Sequence, residues 1–142
     1  MKHALLVFPL MLALTALPSE SSDPDIEGIR QAVQHYLDGH ATGDPAVMAR
    51  AFHQSARLQF IRNGQYATRT LEAYLAGMDG APAEDEADRR RRVVSIDYTG
   101  NAGTAKLELD YPRARILDYM QLLKIDGEWK IVNKIFTVDR RE

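Results

Sequence analysis

Apolar positions recur at helical spacing in the first half of the described pattern and alternate in the second half. Ile26, Ile29, Val33, Tyr36 and Leu37 fall on one face of a helix. Asp23 caps that helix and Pro24 suits its first position, while Gly39 to Gly43 ends it. Asp44-Pro45 repeats the start signal for a short second helix carrying Val47, Met48, Ala51 and Phe52. Arg57 to Ile61 reads as a strand. Asn63-Gly64 then turns the chain into a brief return over Gln65 to Arg69. Thr70 caps a third helix with Leu71, Tyr74, Leu75 and Met78 on its apolar side, and Asp79 to Asp88 is a polar loop. The rest alternates with period two. Val94, Ile96 and Tyr98 share one face, as do Ala105, Leu107, Leu109 and Tyr111. Ala114 to Ile125 and Trp129 to Val138 form a long final hairpin about Asp126-Gly127.

Helices followed by successive strands give an α+β domain over residues 24–139: a curved antiparallel sheet packed on three N-terminal helices. A sheet of this kind curls around its helices and leaves a concave interior suited to a small ligand.

Residues 4–17 are apolar except Thr15, a run too short to span a bilayer but of signal-peptide length. Residues 1–19 are therefore expected to be a leader. Its removal would export the domain to the periplasm or the medium without a stable membrane anchor. Pro9 in the middle of the run disfavours a buried helix there.

The net charge of −2 gives no whole-molecule attraction to nucleic acid. The basic run Arg89 to Arg92 is nearly cancelled by Glu84, Asp85, Glu86 and Asp88. There are no cysteines, so stability rests on the core, and thiolate chemistry is excluded. His35 and His40, five residues apart on a helix, do not share a face as a metal pair would. No metal or cofactor is expected.

Tyr36 lies on the apolar face of the first helix, and Asp118 lies between Ile116 and Met120 on one face of a strand. A buried phenol and a buried carboxylate each need a partner, and these two can satisfy each other. That pair is either a structural hydrogen bond or the polar end of a pocket. Lys134 shares a face with Val132 and Phe136 and would provide Asp118 with a counter-charge if that face is inward. Trp129, Ile131 and Ile135 make the opposite face equally apolar. His53 is the histidine suited to act as a base, unless it serves only to bond carbonyls at a helix end.

The segments Tyr36-Leu37-Asp38-Gly39, Ala51-Phe52-His53, Leu122-Leu123-Lys124 and Asp126-Gly127-Glu128-Trp129-Lys130-Ile131-Val132-Asn133-Lys134 resemble the putative lumazine-binding family of the nuclear transport factor two-like (SnoaL-like) superfamily. The resemblance implies a cone-shaped α+β fold, often a homodimer, with a pocket. Val33 to Tyr36, Gly43-Asp44 and Leu117 to Met120 are similar in spacing to ketosteroid isomerases. That similarity implies oxyanion-binding roles for Tyr36 and Asp118. It also puts Phe60, which cannot accept a proton, where those enzymes keep a carboxylate base.

The expected pocket wall is Tyr36, Phe60, Tyr74, Asp118, Met120 and Lys134, binding a small apolar ligand. The expected activity is ligand binding without assured catalysis. One alternative is an isomerase, dehydratase or cyclase that polarises a carbonyl with Tyr36 and Asp118 and uses His53 as base. The other is a protein–protein module with a filled interior.

Overall fold

The structure is a computed structural model that describes residues 23–142; the expected leader lies outside the described residues. Helix α1 runs Pro24–Thr42 and is capped by Asp23, whose carboxylate accepts from the amides of Asp25 and Ile26. It stops at Gly43, which has φ of 68° and donates its N–H to the Gly39 carbonyl. Helix α2 (Pro45–Ala49) starts at the Asp44 cap. It packs so tightly on α1 that a Cβ at Gly39 would come within 2.8 Å of the Met48 Cα. Strands β1 (Phe52–Arg62) and β2 (Gln65–Thr70) follow, then α3 (Leu71–Ala76), capped by Thr70. A 3-10 turn over Glu86–Asp88 leads into β3 (Arg90–Thr99), β4 (Ala102–Tyr111), β5 (Ala114–Ile125) and β6 (Glu128–Arg140). Among the described residues no helix is long and apolar enough to cross a membrane.

The six strands form one curved, unclosed sheet in the order β2-β1-β6-β5-β4-β3. It is mixed rather than wholly antiparallel, because β1 runs parallel to β6. The two tight turns have the left-handed conformations their sequences favour: Asn63-Gly64 at φ of 52° and 76°, and Asp126-Gly127 at 51° and 83°. The core lies between α1 and the inner face of the sheet. It is built from Ile29, Val33, Tyr36, Met48, Leu107, Leu109, Leu122 and Ile131, all fully or nearly fully buried.

Three interruptions of strand pairing change which side chains face inward. On β6, Gln121 pairs with Asn133 but the next residue, Leu122, pairs with Ile131, so Val132 is an extra residue. Trp129 and Ile131 therefore point inward before the bulge, and Lys134 after it. The two equally apolar faces of the sequence pattern are thus successive parts of one inner face, and Ile135 is left half exposed outside. On β3, Val93 pairs with Leu107 and Ser95 with Lys106. The bulge at Val94 turns that residue outward, so Arg91 and Val93 join Ile96 and Tyr98 on the inner side, contrary to unbroken alternation from Val94. On β1 the pairing to β6 shifts between Phe52 and Arg57. Phe52, placed on the second helix by its spacing, instead begins this strand.

Candidate functional site

Strand register assembles the site. Lys134 pairs with Leu58 on one side and Met120 on the other, and Phe136 pairs with Phe60 and Asp118. Lys134 and Asp118 are therefore diagonal neighbours on the inner face, within reach of a long side chain. Tyr36 descends on them from α1. Its hydroxyl donates to Asp118 Oδ2 at 2.7 Å and accepts from Lys134 Nζ at 2.7 Å. Lys134 Nζ also donates to Asp118 Oδ1 at 2.9 Å. Each carboxylate oxygen thus has a donor, and the phenol is satisfied both ways, as burial demands. Asp118 is 0% and Lys134 4% exposed, so this ion pair is not a solvated surface pair. The rings of Tyr36, Tyr74 and Phe136 surround the ammonium at 4.9, 5.8 and 4.5 Å from their centroids. Two of the three ammonium donors are used, and the third has no acceptor among the described residues.

The cluster forms one end of a cavity of about 150 Å³. Its wall comprises Tyr36, Tyr74 and Lys134, the apolar Leu58, Phe60, Leu109, Ile116 and Phe136, and the polar His40, Arg62 and Arg69. The Phe60 and Phe136 rings lie 4.8 Å apart and tilted by 32°. Of the residues expected from sequence, Tyr36, Phe60, Tyr74 and Lys134 line this space. Asp118 sits behind Tyr36 and Lys134, and Met120 is buried in the core beside it rather than on the wall. His53 is elsewhere. Its Nδ1 lies 2.7 Å from the Ser55 hydroxyl on its own strand, and the ring does not line the cavity. A cavity large enough for several waters beside Tyr36 counts against a filled interior.

His40, one turn after Tyr36 on α1, takes the position near the cluster that His53 does not. Its ring meets Tyr36 edge-on at 4.7 Å, and its Nε2 lies 3.1 Å from the Tyr74 hydroxyl. The i, i+4 spacing from Tyr36 was the available signal, since it puts both on one helix face. Arg62 and Arg69 had no such signal, because they converge only through the β1–β2 hairpin. Burial, and then the charge of Asp118, pushes the pKa of both Tyr36 and Tyr74 up, so both keep their protons at neutral pH.

The pKa of His40 is held down to about 3, first by burial and then by Lys134, Arg91 and Arg89. The neutral ring contributes stability that is fully present above its ordinary value of 6.5 and is lost as pH falls from there towards about 3. Wild-type protein is expected to lose about 2 kcal/mol more than His40→Gln between pH 7 and pH 5. Urea denaturation across that range checks this, and parallel curves for the two proteins would refute it.

The segment from Asp79 to Arg91 closes the same end of the molecule from outside. Arg91 forks onto both oxygens of Glu86 at 2.6 and 2.8 Å, donates to the Tyr111 hydroxyl at 2.8 Å and reaches the His40 carbonyl at 3.4 Å. Arg89 pairs with Asp85 at 2.7 Å, and Arg92 with Glu108 at 3.1 Å. Three of the four arginines in the basic run are thus paired locally with acids, while Arg90 donates to the Ala87 and Arg89 carbonyls, and Arg91 is turned inward by the Val94 bulge. A wider surface groove of about 450 Å³ runs between α1 and the β5–β6 turn. Its Asp25–Lys124 ion pair is already closed: Asp25 accepts from Lys124 at 2.7 Å and from the Trp129 indole at 2.9 Å. The smaller cavity, with its unused ammonium donor, is the better site.

The family model for putative lumazine-binding proteins matches residues 24–137. This chain belongs to that family. The lumazine-binding-family domain also has the nuclear transport factor two-like fold. It superposes with a TM-score of 0.74 on an NTF2-like protein of unknown function from Shewanella baltica OS155, with 22% identity, covering 82% of this chain and 94% of that one. A second such protein, from Methylobacillus flagellatus KT, gives a TM-score of 0.72 and 27% identity, covering 84% and 96%. The domain is similar to aldolase FrzH of Cladobotryum sp, at 22% identity over 101 residues that span 71% of this chain and 81% of the aldolase. Membership of this family and fold suggests small-molecule binding.

Proposed function

We propose that this is an exported small-molecule-binding domain whose ligand occupies the cavity above the Tyr36–Asp118–Lys134 cluster. The observation that carries this reading is the unused Lys134 donor at the closed end of an otherwise largely apolar space. An empty apolar cavity of about 150 Å³ accepts a single benzene-sized ring, whereas drug-sized ligands need roughly 300–1,000 Å³. The ligand is therefore small, or projects through the mouth. Ile116 lines the cavity and packs against the core, so Ile116→Trp should fill the space and keep the fold. Calorimetric affinity for the neutral ring probe benzamide is expected to fall at least tenfold in this variant. Unchanged affinity would place binding elsewhere.

Native mass spectrometry of the protein recovered from the exported fraction reads three further parts of the proposal. Loss of residues 1–19 gives the mature mass, a retained adduct gives the natural ligand, and a doubled mass gives the homodimer. The exposed Tyr119 and Ile135 on the outer face of the sheet support the pairing of two copies.

Similarity to an aldolase favours a second, catalytic reading, in which the cluster polarises a bound carbonyl. The Tyr36 proton is directed at Asp118, so the donor to such an oxygen is Lys134, held in place by the other two. His40, the imidazole beside the cluster, is a weak base when its pKa is held to about 3. Binding without turnover is therefore the leading reading. Cleavage of a hydroxy-ketone that disappears in Tyr36→Phe or Asp118→Asn would reverse that order.

A further inference from the structure

The binding reading leaves two charges at the mouth of the cavity unexplained. Arg62 is the last residue of β1, and Arg69 lies on β2 opposite Leu58. Leu58, Phe60 and Arg62 alternate along one face of β1, and antiparallel pairing puts Arg69 on that same face. Both guanidiniums flank the Phe60 ring, at 5.2 and 6.0 Å from its centroid, and both line the cavity. Neither has an acidic partner among the described residues. By contrast, Arg89, Arg91 and Arg92 are paired with Asp85, Glu86 and Glu108.

Among the described residues no carboxylate lines the cavity wall. The nearest, Asp118, is already engaged by Lys134 and Tyr36. Tyr36, Tyr74 and His40 add no negative charge at neutral pH. The site therefore carries two uncompensated positive charges at its mouth, an apolar middle formed by Leu58, Phe60, Leu109, Ile116 and Phe136, and one unused ammonium donor at its closed end. Two like charges beside one ring repel each other, and an anion between them relieves that repulsion. The guanidinium fork matches a carboxylate in shape as well as charge.

We propose that the cavity takes a small carboxylic acid with an apolar body, its carboxylate held by Arg62 and Arg69 and its far end directed at Lys134. This rests on the binding reading above and narrows its ligand from an apolar molecule to an amphipathic anion. An inorganic anion would use the arginines and leave the Phe60–Phe136 wall unused.

The test compares benzoate, benzamide and inorganic phosphate on the full chain by calorimetry, with heteronuclear NMR of the Phe60 and Phe136 amides to locate binding. Benzoate is expected to bind at least tenfold more tightly than benzamide. That preference should shrink as salt is raised. The double variant Arg62→Gln/Arg69→Gln, at positions outside the core, should reduce it to less than twofold, with benzamide still shifting the Phe60 and Phe136 amides to show that the site persists. Arg62→Lys/Arg69→Lys should retain part of it. Equal binding of benzoate and benzamide at the Phe60 and Phe136 amides would overturn the carboxylate proposal and leave the binding reading intact. A preference that survives the double Gln variant would overturn it too, as would phosphate binding as tightly as benzoate. Absence of binding by both ring probes would overturn both readings.

Discussion

Lys134→Met should destabilise the protein by about 3–5 kcal/mol in urea denaturation. The substitution keeps the length of the side chain, so little packing is lost. What is lost is the only cation bonded to Asp118 among the described residues, and Asp118 is a carboxylate with 0% exposure. The Tyr36 hydroxyl still reaches one oxygen, but a single neutral donor does not compensate a buried charge. The triple variant Lys134→Met/Asp118→Leu/Tyr36→Phe separates this cause from packing. Replacing a buried ionic cluster with apolar groups is often neutral or stabilising, so the triple variant should recover most of the loss. A single variant that loses less than about 1 kcal/mol would mean that water reaches Asp118. If the triple variant is stable and no longer binds benzamide, the cluster is kept for the ligand rather than for the fold.

Gly43→Ala should cost about 2–5 kcal/mol, from two sources. The residue ends α1 at φ of 68°, where a side chain costs roughly 1–2 kcal/mol. A Cβ built there would also lie 1.9 Å from the Ala81 carbonyl oxygen, and relieving such overpacking costs roughly 1–3 kcal/mol more. The obstacle is backbone and cannot swing aside as a flexible side chain would. The Gly80 amide donates to the Gly43 carbonyl at 3.0 Å, so the same substitution detaches the 79–91 segment from the end of α1. Gly64→Ala is the control: φ is 76° there, with nothing within 4 Å of the added carbon. It should cost only the conformational part. Thermal unfolding of both variants checks the contrast, and equal losses would show that the contact with Ala81 carries no energy.

The two substitutions probe features of very different visibility in the sequence. The stop at Gly43 could be read from a glycine followed by Asp-Pro, because helix ends are decided by local backbone chemistry. Lys134 could not be assigned to a face, because alternation on β6 changes phase at Val132. The apolar surroundings of Asp118 and Tyr36 are enough to pair them, since a buried carboxylate and a buried phenol have few other solutions. His53 was the plausible base by residue type alone, yet its strand holds it against Ser55. His40 reaches the cluster because it follows Tyr36 by one helical turn.

The sequence by itself determined the parts of this protein governed by neighbours a few residues away. These are the capped starts of α1, α2 and α3, the Asn63-Gly64 and Asp126-Gly127 turns, the inward row of β4, and the polar partners that burial forces on Tyr36 and Asp118. The tertiary structure alone decided the parallel pairing of β1 with β6, the bulges at Val94 and Val132, and the convergence of Lys134, Arg62 and Arg69 on one cavity. The reason is physical. Caps and turns are selected by the dihedral and hydrogen-bonding preferences of a few adjacent residues. A bulge is one extra residue whose position is fixed by the strand beside it, and parallel pairing joins segments that local preferences cannot relate. The fold therefore follows from local signals, but the side chains that line the site depend on a register set across the sheet.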